Sequence, residues 1–132
     1  MINKLGLFFL SVLSFLSIGC GGNTYSQGER LYSAHCANCH MDDGTGLAKL
    51  IPPLKKSDYL KLNQDLIACI IRHGQKGEIT VNGIQYDQEM PGKKYTEIQI
   101  NNMINYINSA WENDIQAVTI VQTQKRLREC KK

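Results

Sequence analysis

The stretch Cys36-Ala37-Asn38-Cys39-His40 decides how the rest of the chain can be interpreted. Two thiols three residues apart, followed at once by a histidine, match the spacing at which a c-type haem is attached. In this interpretation Cys36 and Cys39 form thioethers with the two haem vinyl groups, and the His40 imidazole ligates the iron. The motif therefore predicts one covalently bound haem.

Two other kinds of site also begin with paired cysteines. A closed structural zinc site needs four ligands, usually including a second tight pair, and the chain offers only scattered candidates. These are His35, Cys69, His73 and Cys130. A thioredoxin-like redox pair is expected beside a βαβ unit, and no such pattern is visible. Haem attachment is the prediction that the context favours.

The size and charge of the chain limit the other possibilities. Its 132 residues are enough for one domain, and its formal net charge is +3. The basic residues form neither a long run nor a patch with interleaved aromatics, so nucleic acid is not an expected partner. A haem at the centre would add apolar contact area that so short a chain otherwise lacks.

Residues 1–19 have the pattern of an export signal, with a positive charge at Lys4 and an apolar stretch over residues 5–16. Residues 17–20 resemble a bacterial lipoprotein cleavage box, in which the chain is cut before Cys20 and the sulfur of Cys20 then carries the lipid. The departure from this pattern is Ser17, where Leu, Val or Ile is usual. An ordinary secretory signal and an uncleaved anchor are the alternatives, although a spanning helix needs about 20 apolar residues. We expect export to the periplasmic side and a membrane anchor at Cys20, with residues 20–25 as a flexible tether.

Residues 26–111 show the signals of an all-α domain. A first helix is predicted over residues 26–35 with Ser26 as its cap, and Gly28 within it suggests a close approach of another helix. A core helix is predicted over residues 64–73, ending at Gly74.

A third helix, with an apolar stripe, is predicted to begin at a capping box of Thr96 and Gln99 and to end near Trp111. Residues 112–132 are predicted to form a helical extension with a further cap pair, Thr119 and Gln122.

Two segments between the helices are predicted to be non-helical. The Asn82-Gly83 pair, flanked by β-formers over residues 78–86, predicts a small hairpin insertion. Pro52 and Pro53 favour an extended path with free carbonyls. One of these carbonyls could accept a hydrogen bond from His40 Nδ1, as metal-bound histidines generally require.

Two cysteines remain outside the motif and the lipid site. Cys69 lies in an apolar run, so a buried free thiol is the default interpretation. Cys130 lies among charges near the C-terminus, where a free thiol would be a liability in an oxidising compartment. A disulfide between the two is the alternative, since spacing does not reveal connectivity.

The second axial position of the iron would set the function. Met90 is the candidate, because it lies in a loop bounded by glycine and proline. The competitors are weaker: Met41 is adjacent to His40, Met103 is on the apolar stripe, His73 ends a helix, and Lys93 and Lys94 would have to be neutral.

These residues together carry a family resemblance. The Cys36–His40 motif, Gly44-x-Gly46, Pro52-x-Leu54 and Met90-Pro91 resemble, in that order, class I cytochromes c, and the similarity extends to the cytochrome subunits and domains of periplasmic alcohol dehydrogenases and copper nitrite reductases. The resemblance implies a cytochrome c fold around the haem. It further implies that Pro52 accepts the bond from His40 and that Leu54 packs on the haem. Gly28 and Tyr32 are implied to meet the helix that begins at Thr96, near Tyr106.

The expected function is that of a one-electron carrier between redox proteins. Nitrogen and sulfur ligands would leave no open position on the iron, so no small-molecule substrate and no catalytic residue are expected. If Met90 did not bind, the protein would instead be a haem-based sensor of diatomic gases.

Overall fold

The computed structural model describes residues 25–130. The predicted export signal, Cys20 and residues 20–24 of the predicted tether lie outside this range. Within it, no helix is both long and apolar enough to cross a membrane.

Helices make up about half of the described chain, with two small sheets between them. The helices are α1 (Ser26–His35), α2 (Ala37–His40), α3 (Asp58–Leu62), α4 (Gln64–His73), α5 (Glu97–Ser109) and α6 (Ile120–Arg128), with a 3₁₀ turn at Ala110–Glu112. The strands are β1 (Gly74–Gln75), β2 (Ile79–Val81), β3 (Ile84–Tyr86) and β4 (Met90–Pro91).

Helix α1 crosses α5 at Gly28, as the sequence predicts. A Cβ on Gly28 would overlap the carbonyl oxygen of Asn102 and would lie 2.7 Å from Tyr106 Cβ. The Tyr32 and Tyr106 rings are 5.4 Å apart, which confirms the contact that the resemblance implies. The prediction of Ser26 as the cap is wrong: the Tyr25 carbonyl accepts the Glu29 N–H at 3.0 Å, so the helix already includes Ser26.

Helix α5 forms the centre of the core. The capping box of Thr96 and Gln99 is present, and Ile100, Met103 and Ile104 are completely buried. The helix ends at Ser109, two residues before the predicted end. Trp111 has a φ of 51°, outside the helical region, and its ring packs 5.0 Å from that of Tyr32.

The predicted hairpin is present as β2 and β3. Asn82 and Gly83 have φ values of 50° and 78°, the left-handed pair that a tight hairpin turn requires. A second pairing was not predicted: β1 pairs with β4, so that Gly74 lies opposite Pro91 and Gln75 opposite Met90. Along the chain, the hairpin therefore lies between the two paired strands β1 and β4.

The C-terminal segment folds back over α4 and α5. Helix α6 begins at the predicted pair of Thr119 and Gln122, which form a capping box. Cys130 is joined to Cys69 of α4 by a disulfide, with 5.6 Å between the Cα atoms. The default interpretation of Cys69 as a free thiol is therefore wrong, because α6 lies against the face of α4 that carries this cysteine.

Candidate functional site

A large apolar cleft opens beside the Cys-x-x-Cys-His motif. The space within it, including the open mouth, is about 1050 Å³. The motif, the proline segment and α4 form part of its wall. Residues Ile79, Val81 and Tyr86 of the hairpin and Met90 of β4 form the rest.

The two motif cysteines lie at this cleft, and neither is in a disulfide. Cys36 is half-buried and Cys39 is exposed. Burial raises the pKa of the Cys36 thiol to about 11, although Lys93 nearby acts in the opposite direction. A thioredoxin-like pair needs a lowered thiol pKa, so the structure argues against that alternative.

The zinc alternative also fails. Among residues 25–130, no three His, Cys, Asp or Glu side chains are grouped so that they could hold a metal ion. Two of the four scattered zinc-ligand candidates, Cys69 and Cys130, form a disulfide with each other and cannot act as thiolate ligands.

His40 is buried and has one ring nitrogen engaged. Its Nδ1 donates to the carbonyl oxygen of Pro52 at 3.1 Å. Burial lowers the pKa of His40, while the bond to Pro52 opposes this shift. Because a carbonyl can only accept, the proton is on Nδ1, and Nε2 keeps the lone pair that a metal ligand needs.

The acceptor carbonyl is held in place by the glycines that follow the motif. Gly46 donates to the carbonyl of His40 at 3.0 Å, and the carbonyl of Gly44 accepts from Leu54 N at 2.8 Å. A Cβ on Gly46 would lie 2.7 Å from the Pro52 oxygen. The Gly44-x-Gly46 pattern thus lets the proline segment fold closely onto the residues after His40, and Pro52 and Leu54 both line the cleft.

Met90 also lines the cleft and is half-buried. It belongs to a short strand, where pairing with Gln75 restrains its backbone. Its competitors lie elsewhere in the described structure: Met103 is buried in the core, and His73 is exposed at the end of α4. The cleft thus brings together two thiols, an imidazole nitrogen and a thioether within apolar walls, and this donor set fits a c-type haem.

Comparison with known proteins agrees with this geometry. The family model for cytochrome c matches residues 25–111. The chain belongs to the cytochrome c family. It therefore binds haem c covalently, carries electrons and is not itself an enzyme, and its helical fold with a small hairpin is that of class I cytochromes c.

Individual relatives within the family differ in length. The chain is 26% identical over 106 residues to cytochrome c-552 of Thermus thermophilus, covering 76% of this chain and 71% of the relative. It is 31% identical over 113 residues to the cytochrome c subunit of a quinone alcohol dehydrogenase from Gluconacetobacter polyoxogenes, covering 82% of this chain and 24% of the subunit. The chain thus spans about a quarter of that subunit's length.

Sequence reasoning missed two parts of this cytochrome c site. The first is the pairing of β1 with β4, since two-residue strands carry no periodic signal. The second is the part of the wall formed by the hairpin. Val81 and Tyr86 are buried there, and the apolar residues at alternate positions, Ile79 and Val81, were the available signal.

Proposed function

We propose that this cytochrome c transfers single electrons with His40 and Met90 as the axial ligands of its iron and with Cys36 and Cys39 as its thioether anchors. The observation that carries the proposal is the cleft that His40 and Met90 both line, with His40 Nδ1 bonded to Pro52 so that Nε2 keeps its lone pair. When bound, haem c supplies an iron that changes its oxidation state by one electron.

The residues of the chain then determine how this iron behaves. His40, oriented by Pro52, supplies a nitrogen, and Met90 supplies a soft sulfur, which raises the reduction potential relative to a second histidine. Because these two side chains would suit both oxidation states of the iron, the chain would need little rearrangement during electron transfer. Apolar side chains of α4 and the hairpin line the site.

The relatives suggest which partners the protein serves. Several are named as cytochrome c subunits of quinone alcohol dehydrogenases. We propose that a dehydrogenase of this general kind donates electrons to the protein and that a second redox protein accepts them. Cytochromes c of this kind are typically exported to the periplasm, which is where we place the exchange.

The test of the ligation is the absorption spectrum of the haem-loaded, reduced protein before and after carbon monoxide is added. We expect no shift within the mixing time, because the chain holds both axial positions and carbon monoxide can enter only when the Met90 sulfur leaves the iron. A rapid shift to a carbonyl spectrum would contradict the ligation by Met90 and would favour a gas sensor.

We further propose that residues 1–19 are removed and that Cys20 anchors the protein to a membrane. The anchor should be stable, since diacylglycerol supplies more than the single acyl chain that gives only marginal binding. Labelled palmitate should enter the parent protein and a Cys130→Ser control, and it should be absent from Cys20→Ser. Incorporation of labelled palmitate into Cys20→Ser would contradict lipidation at Cys20.

A further inference from the structure

The C-terminal segment, residues 112–130, is attached to two helices of the core. On α5, Asn105 Oδ1 accepts from Val118 N at 2.7 Å, and Asn101 Nδ2 donates to the Val118 carbonyl at 2.8 Å. On α4, Arg126 pairs with Asp65 at 2.9 Å, and the disulfide joins Cys130 to Cys69. The segment lies beyond residues 25–111, which the family model covers.

Helix α4 lies between this segment and the cleft. Its residues Ile67, Ile70 and Ile71 line the cleft, whereas Cys69 and Asp65 contact the C-terminal segment. A displacement of α4 would therefore move part of the cleft wall.

The end of α4 is packed directly against the strand of Met90. The helix continues into Gly74, where a Cβ would overlap the Met90 carbonyl oxygen. A Cβ on Gly92 would lie 2.6 Å from Gly74 N. The pairing of Gln75 with Met90 completes this contact, so the position of Met90 depends on the position of α4.

We propose that the Cys69–Cys130 disulfide is a positioning device that holds α4, and through it Met90, against the iron. The proposal rests on the proposed ligation by Met90. Without the disulfide, α4 and its attached strand should open at a lower free energy than the rest of the core, since local opening depends on the contacts that hold each unit. The thioether would then leave the iron more often, and an external ligand could enter.

The test uses the full haem-loaded protein and a Cys69→Ala/Cys130→Ala variant. A second preparation, the parent treated with a dithiol and then alkylated, removes the same disulfide without any substitution; thioethers are not cleaved by thiols. The matched control is Ile104→Ala, which removes a completely buried side chain that does not line the cleft and destabilises the fold by an amount comparable to the loss of a disulfide.

Two readouts separate positioning from general stability. In the reduced protein, we expect carbon monoxide to bind about tenfold faster once the disulfide is gone, as the open form becomes more populated. In the oxidised protein, the methionine–iron charge-transfer band should disappear at a lower urea concentration than helical circular dichroism. In Ile104→Ala the band and the helical signal should be lost together.

The outcomes distinguish the two proposals. If both disulfide-free preparations keep the slow carbon monoxide rate and lose the band only with the helices, the positioning role is overturned and the ligation by Met90 stands. If the parent itself lacks the methionine–iron charge-transfer band, Met90 is not the ligand, and the proposed positioning role of the disulfide is then wrong as well.

Discussion

Met90→Ala should convert a closed iron site into an open one. The reduced variant should bind carbon monoxide within the mixing time, whereas the parent spectrum stays unchanged, because alanine has no sulfur to occupy the second axial position. The methionine–iron charge-transfer band of the oxidised protein should be absent. Stopped-flow absorption measures the first effect, and a spectrum of the oxidised protein measures the second.

Two variants make this result specific to position 90. Met90→His should keep the site closed and lower the reduction potential by tenths of a volt, on the order expected when axial ligands span about 0.8 V across haem proteins. Met103→Leu changes a completely buried methionine that does not line the cleft, and it should behave as the parent does. A parent-like spectrum in Met90→Ala would show that the sulfur of Met90 is not the ligand.

Removal of both motif thiols should abolish covalent attachment. In Cys36→Ala/Cys39→Ala, all of the haem should be extracted by acidified butanone, while in the parent it should remain on the polypeptide. The yield of haem-loaded protein should also fall, because the cleft is open at its mouth and the ligation by His40 and Met90 would then have to retain the group without a covalent bond. Haem staining of a denaturing gel, together with extraction, gives both results.

The matched control for this experiment is Cys69→Ala/Cys130→Ala, which removes the same number of sulfur atoms far along the chain. Its haem should remain attached, since these residues are joined to each other. Each single motif variant should retain attachment through the remaining thioether. Retention of haem on the Cys36→Ala/Cys39→Ala protein would refute the attachment sites.

Local chemistry accounts for the elements that were predicted well. The caps at Thr96 and Thr119 are formed by side chains that satisfy backbone N–H groups three residues away. The hairpin follows from one Asn-Gly pair. These features depend on neighbours in sequence, so they are visible without knowledge of the fold.

Two of the failures have a common physical origin in contacts between distant residues. The helix ended before Trp111 because the indole packs against Tyr32, which lies 79 positions earlier in the chain. Cys69 is not a free thiol because α6 returns over α4. Neither periodicity nor spacing carries information about such returns.

By itself, the sequence determined the haem motif, the class of fold and the identity of the helices, because spacing, capping and hydrophobic periodicity act over a few residues. The bond from His40 to the carbonyl of Pro52 was implied by the family resemblance, and the structure contains it. Only the tertiary structure decided that β4 pairs with β1 beside Met90 and that Cys130 closes on Cys69. Each of these depends on where whole segments pack against one another. That packing is a property of the shared core and not of any single stretch of chain.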